Sequence, residues 1–105
     1  MITIKNKSYT EEQIIQCLVT CESVISKNAY LEKKWSNFYI CDGGYWHTRG
    51  DKYKKNRHDW IDYRKKLCFL LLDNKYSMKE VIQKTKSCKK KSTQKMVKEI
   101  IDLMD

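Results

Sequence analysis

The chain has 105 residues, no proline and a formal net charge of +9 at pH 7, from 22 Lys plus Arg against 13 Asp plus Glu. That length leaves room for one domain, residues 1–105, with a modest core, and a hydrophobic content of 41% excludes a disordered tail. The five cysteines show no CxxC spacing, the N-terminal residues lack the apolar run of a secretory signal, and no stretch approaches ~20 apolar residues. We therefore expect a cytoplasmic protein with reduced thiols and no membrane segment.

The first two predicted elements are a short strand and an amphipathic helix. Residues Ile2 to Lys5 alternate apolar and polar side chains, which is typical of a half-buried strand. Thr10 and Gln13 have the spacing of a capping box, so we predict a helix from about Glu11 to Lys27. Its apolar side chains recur at helical spacing: Ile14, Leu18, Cys21 and Ile25.

A β-hairpin is predicted next. Aromatic and β-branched residues flank Asp42-Gly43-Gly44, and glycines supply the positive φ that tight hairpin turns require. The strands are expected near Ser36 to Cys41 and Tyr45 to Thr48. We expect the N-terminal strand to join hairpin 36–48 in a small three-stranded antiparallel sheet.

The second half of the chain is predicted to be helical. After a charged connection from Gly50 to Asn56, an apolar stripe predicts a helix from about Arg57 to Asp73, with Trp60 and Leu67 in the core. We expect that helix to be the central, most buried one. A second capping pattern at Ser77 opens a short helix, and a last helix carries Met96, Val97, Ile100, Ile101, Leu103 and Met104 on one side. The predicted fold class is α+β, mainly helical, with about four helices.

Two basic clusters are the strongest functional signal. One surrounds Asp51, and the other belongs to residues 83–98, which contain no acidic side chain. Lysine and arginine can neutralise phosphates, although a merely solvated helix face is the alternative. We expect Lys91, Lys95 and Lys98 to point outward from the last helix. The predicted binding residues are Arg49, Lys52, Lys54, Lys55 and Arg57 in the first cluster and Lys89, Lys90, Lys91, Gln94, Lys95 and Lys98 in the second.

The C-terminal third reads SMKEVIQK at residues 77–84, then a short break, then KKKSTQKMVKEII at residues 89–101. This arrangement resembles bacterial and phage helix-turn-helix segments and covers about a quarter of the chain. The resemblance implies that the second helix enters the major groove, where Gln94 reads adenine and the lysines contact guanine or phosphate. The turn lacks glycine, and Ile82 stands where a small residue is usual. Two helices that close a small bundle are the alternative.

Several aromatic residues crowd the predicted hairpin. Strand alternation places them on both faces, so some should be exposed beside Arg49. Exposed rings can stack on unpaired bases or anchor a protein partner, and packing in the core is the alternative. The candidates for such contacts are Tyr39, Tyr45 and Trp46.

Metal binding and catalysis find little support in the sequence. Cys17, Cys21, Cys41 and His47 would form a zinc site only if they converged, and the first two fit a helical core stripe. The pattern of His47, Asn56 and His58 differs from the spacing in ββα-metal nucleases, and no phosphate loop or nucleophile motif occurs. We therefore expect no metal, no cofactor and no enzymatic activity.

The leading functional hypothesis is a small basic nucleic-acid-binding accessory protein of phage or mobile-element type. It would act inside a host cell and contact DNA or RNA phosphates through the Lys-rich C-terminal helix. The first alternative is a protein-binding inhibitor of a host nuclease or defence complex, of the anti-restriction or anti-CRISPR type. The second is a structural or assembly protein that dimerises through the hairpin.

Overall fold

The computed structural model describes the backbone of residues 1–105 and all side chains except those of residues 42 and 45. Four helices and four short strands form an α+β fold that is mainly helical, as predicted. In chain order the elements are β1 (Ile2–Ile4), β2 (Lys7–Tyr9), α1 (Glu11–Trp35), β3 (Tyr39–Asp42), β4 (Tyr45–Thr48), α2 (Asp51–Asp73), α3 (Met78–Ser87) and α4 (Gln94–Met104).

The strands form two separate antiparallel ribbons, so the prediction of one three-stranded sheet was wrong. β1 finds its partner in β2, through a tight turn in which Lys5 has a φ of 53°. The hairpin β3–β4 turns at Gly43 and Gly44, with φ values of 58° and 83°, as the glycines predicted. Since the 25-residue α1 lies between the ribbons in sequence and spans about 37 Å, β1 is held far from the hairpin.

Helix α1 begins where the capping box predicted and ends later than expected. The Thr10 side chain accepts a hydrogen bond from the Gln13 backbone N–H, and the Gln13 side chain accepts one from the Thr10 backbone N–H. The helix continues to Trp35 rather than stopping near Lys27, because residues 28–35 contain no glycine or proline and include good helix formers.

Helices α1 and α2 pack antiparallel. Arg64 pairs with Glu22, and Arg57 pairs with Glu32, so ascending positions in α2 meet descending positions in α1. At the start of α2, a Cβ on Gly50 would lie 2.8 Å from the Glu32 carbonyl oxygen. Glycine permits this close approach, and α2 begins at the next residue, Asp51. Most of the connection predicted from Gly50 to Asn56 is therefore helical.

The core is built around α1, which corrects the expectation that α2 is the central helix. Eight residues of α1 are buried, against three of α2. Trp60 and Leu67 are buried as predicted, but α2 packs with one face only. α1 is enclosed from several directions, because α2, α3 and α4 all pack against it. None of the helices described in the structure is long and apolar enough to cross a membrane.

Candidate functional site

The connection between α3 and α4 crosses α1 on the side away from α2. The Thr20 hydroxyl donates to the Ser92 carbonyl oxygen at 2.8 Å, and the Lys91 ammonium donates to the Ser23 hydroxyl at 3.0 Å. Ser23 and Glu32 lie nine residues apart, about two and a half helical turns, so they face opposite sides of α1. The lysine-rich connection therefore lies on the face opposite the Glu32–Arg57 contact.

Lys91 belongs to this connection. The prediction that Lys91 lies on the last helix was therefore wrong. The Thr93 side chain caps α4 by accepting a hydrogen bond from the Met96 backbone N–H, and the helix begins at Gln94. The capping threonine ends the lysine run before the helix starts, because an N-cap residue has an extended backbone. Lys89 and Lys90 are exposed in the same connection.

A row of exposed α1 side chains continues the surface from Lys91 toward the hairpin. Lys27, Tyr30 and Lys34 follow Ser23 by four, seven and eleven residues, which is the spacing of one helix face. The row is about 16 Å long at ~1.5 Å per residue. All three side chains are exposed, and Tyr30 retains 66% of its accessible surface. These residues were not among those predicted from the sequence, because the helix was expected to end near Lys27.

The row ends at a cluster of cations and rings at the base of the hairpin. The Arg49 guanidinium lies 5.3 Å from the centre of the Trp35 ring, and the Lys34 ammonium lies 5.6 Å from it. The Lys52 ammonium lies 4.9 Å from the Tyr53 ring centre, and both residues line a small cleft together with Trp35 and Arg49. Such stacking leaves the charge on the surface while it orients the side chain. We call the whole surface the basic face; it consists of Lys27, Tyr30, Lys34, Arg49, Lys52 and Lys91.

The first predicted cluster thus does not form one surface. Arg49 and Lys52 belong to the basic face, whereas the other three residues do not. Arg57 is engaged with Glu32 at 2.9 Å, with both side chains about three-quarters buried. Lys54 and Lys55 follow Asp51 by three and four residues, so they share its helix face and do not join the basic face. Among the described side chains, neither Lys54 nor Lys55 forms an ion pair.

The second predicted cluster is less positive on α4 than its sequence indicated. Gln94, Lys95 and Lys98 are exposed, and a small cleft joins them to Glu99 and Asp102. Glu99 accepts a hydrogen bond from Lys7, and this contact lowers the pKa of Glu99 and raises the pKa of Lys7. The acid-free range of the sequence ends at Lys98, and the two carboxylates of Glu99 and Asp102 follow directly after it.

The geometry of α3 and α4 differs from the short turn of the helix-turn-helix motif. Their connection has six residues, 88–93, whereas the motif uses three or four. Both helices pack against α1 and α2, and the connection passes over α1 between them. The bundle-closing alternative therefore describes their packing better.

The hairpin carries large exposed rings. Tyr39 retains 68% and Trp46 retains 67% of its accessible surface, and Phe38 and Ile40 are also exposed. These rings are surface groups, as the sequence predicted for some of them. The side chain of the third candidate, Tyr45, lies outside the described part of the structure.

The candidate zinc ligands are distributed over distant parts of the fold. Cys17 and Cys21 are buried in α1, whereas Cys41 is exposed on the hairpin. Burial raises the pKa of the Cys17 thiol and raises that of Cys21 to about 12. Among the described residues, no three His, Cys, Asp or Glu side chains lie close enough to hold a metal ion.

No protein-family description, curated protein or solved structure matches this chain. The function of the chain is therefore inferred from its own charges, rings and contacts.

Proposed function

We propose that the protein binds nucleic acid and that the basic face contacts the phosphate backbone. The observation that carries this proposal is the hydrogen bond from Lys91 to Ser23, which aligns the α3–α4 connection with Lys27 and Lys34 on one side of α1. Cations spaced along an extended face fit a polyanion with regularly spaced charges better than a single small anion.

The acidic residues near this face are few, and two of them, Glu32 and Asp51, are engaged by other side chains. Within residues 23–34 the one carboxylate is Glu32, which pairs with Arg57 on the α2 side. Residues 33–58 contain seven Lys and Arg against two Asp. One of these, Asp51, accepts hydrogen bonds from the backbone and the hydroxyl of Thr48. The positive potential at this end of the molecule therefore favours an anionic partner.

A protein partner with an acidic surface is the second candidate, and the exposed Tyr39 and Trp46 rings favour it. An inhibitor of a host nuclease or defence complex would belong to this class. Dimerisation through the hairpin is disfavoured, because two copies would bring together ends whose residues 32–58 each carry seven cations and three carboxylates.

The test is a gel-shift series of the whole protein with random-sequence oligonucleotides from 50 to 300 mM salt, in single-stranded and duplex form. We expect binding that weakens steeply with salt, by ~0.7 in the log–log slope for each phosphate contact on single strands. Absence of binding at the lowest salt concentration would overturn the proposal and leave the acidic protein partner as the better explanation.

A further inference from the structure

Strand pairing places Tyr39 and Trp46 on the same face of the hairpin. Tyr39 pairs with Thr48, and Cys41 pairs with Trp46. Directly paired residues point to the same side, and residues two apart on a strand also share a side. One face therefore carries Tyr39, Cys41, Trp46 and Thr48, and we call it the ring face.

The two rings are diagonal neighbours across the strand pair. Diagonal residues of an antiparallel pair are about 7–8 Å apart, which is about twice the ~3.4 Å spacing of stacked bases. The separation of the two positions therefore matches the width of one flat base with a ring stacked on each of its sides. Within the described part of the chain, neither ring contacts another aromatic ring or a cation, whereas Trp35 and Phe38 contact each other at 4.8 Å.

Cations border the ring face on its α2 side. The Thr48 hydroxyl, which belongs to the ring face, donates to Asp51 at 2.9 Å, so the hairpin face continues into the Asp51 face of α2. Lys54 and Lys55 lie on that same helix face, three and four residues beyond Asp51. Lys54 and Lys55 therefore lie beyond Thr48 and Asp51, on the side of the ring face that borders α2.

We infer that the ring face binds an unpaired nucleobase of a single-stranded nucleic acid between Tyr39 and Trp46, with Lys54 and Lys55 contacting the adjoining phosphates. The inference rests on the proposed function and names its substrate class. A base inside a duplex has both π-faces covered by its neighbours, so only an unpaired base can enter the gap. The rings contact base faces and the lysines contact phosphates, groups that DNA and RNA share, so both single strands bind similarly.

The experiment uses the whole protein and an oligo-dT or oligo-U 12-mer with one central 2-aminopurine, whose fluorescence is quenched by stacking. We expect quenching on binding, tighter binding of the single strand than of the matching duplex, and a ~10-fold or larger loss of affinity for Tyr39→Ala and for Trp46→Ala. The ring variants should keep the salt slope of the wild type, since they remove no cation. Tyr39→Phe should retain both affinity and quenching.

Two further variants test whether a loss of affinity comes from lost stacking on Tyr39 and Trp46 or from any change at the protein surface. Phe69→Ala removes another exposed ring, on α2, and should leave binding unchanged. Lys54→Ala with Lys55→Ala should reduce the salt slope and retain the quenching. Circular dichroism verifies that each variant folds, as expected for side chains that lie on the surface.

The outcomes distinguish the inference from the proposal on which it rests. Equal or tighter binding to duplex, or ring variants with unchanged affinity and quenching, would overturn the inference while phosphate binding stands. Complete lack of nucleic-acid binding by the wild type would overturn both. A protein ligand that loses affinity with the ring variants, when no oligonucleotide binds, would identify the ring face as a protein-binding surface and also overturn the inference.

Discussion

The ammonium group of Lys91 lies 3.0 Å from the hydroxyl of Ser23, a residue 68 positions earlier in the chain. The Thr20 hydroxyl reinforces this contact by donating to the Ser92 carbonyl oxygen. Together these bonds fix the lysine-rich connection on α1, one turn before Lys27. Two regions that are distant in sequence thereby form one basic face.

Substitution of Gly50 should destabilise the protein by interfering with the α1–α2 contact. In Gly50→Ala the new Cβ would lie 2.8 Å from the Glu32 backbone oxygen, so the helix ends must separate. We expect a loss of about 1–3 kcal/mol in the free energy of unfolding, measured by urea denaturation. Asn56→Ala, an exposed α2 substitution, is the matched control. A Gly50→Ala protein as stable as this control would show that the contact does not hold the helix ends.

Two tryptophans should respond in opposite ways to truncation. Trp60 is 2% exposed, so Trp60→Ala should cost about 3–5 kcal/mol of stability, enough to unfold a marginal domain. Trp46 is 67% exposed, and Trp46→Ala should change stability by less than about 0.5 kcal/mol. Thermal melts followed by circular dichroism measure both. A folded, stable Trp60→Ala protein would contradict the position of this residue in the core.

Alkaline pH should destabilise the fold through Cys21. Burial raises the pKa of its thiol from 9.0 to about 12, so the folded state holds its proton at pH values where the unfolded state has lost it. The resulting stabilisation is complete below pH 9 and is lost as pH rises from 9 to 12. Cys21→Ala should therefore show a flatter decline of stability over this window than the wild type, in urea melts at each pH. Identical profiles would contradict the burial of the thiol.

The helix start and the hairpin turn could be predicted because they depend on neighbouring residues. The pairing of the strands could not be predicted in this way. The Thr10 capping box and the Gly43-Gly44 turn each depend on neighbouring residues, and both were found in the sequence. The partner of β1 was misassigned because the turn at Lys5 uses a residue other than glycine at positive φ. Strand pairing is a choice among partners, and alternation within one strand does not determine it.

The basic clusters were recognisable in the sequence, but their division among surfaces depends on packing. Arg57 looked like its neighbours and is withdrawn into an ion pair with Glu32. Lys27 and Lys34 looked isolated and join the basic face because α1 is longer than its apolar stripe. Charge counts along the chain give the net charge of a region, whereas helix phase and tertiary contacts decide which charges act together.

The central claim is tested most directly by the triple variant Lys27→Ala, Lys34→Ala and Lys91→Ala against a control triple of equal charge, Lys65→Ala, Lys79→Ala and Lys86→Ala. All six lysines are exposed, but the control residues lie on α2 and α3, outside the basic face. With a single-stranded oligonucleotide, we predict that the basic-face triple lowers the log–log salt slope by about 2, with a loss of affinity that is similar for all sequences. The control triple should behave nearly as the wild type. If both triples fold and weaken binding equally, only the net charge of the protein matters, and the basic face described here would be contradicted.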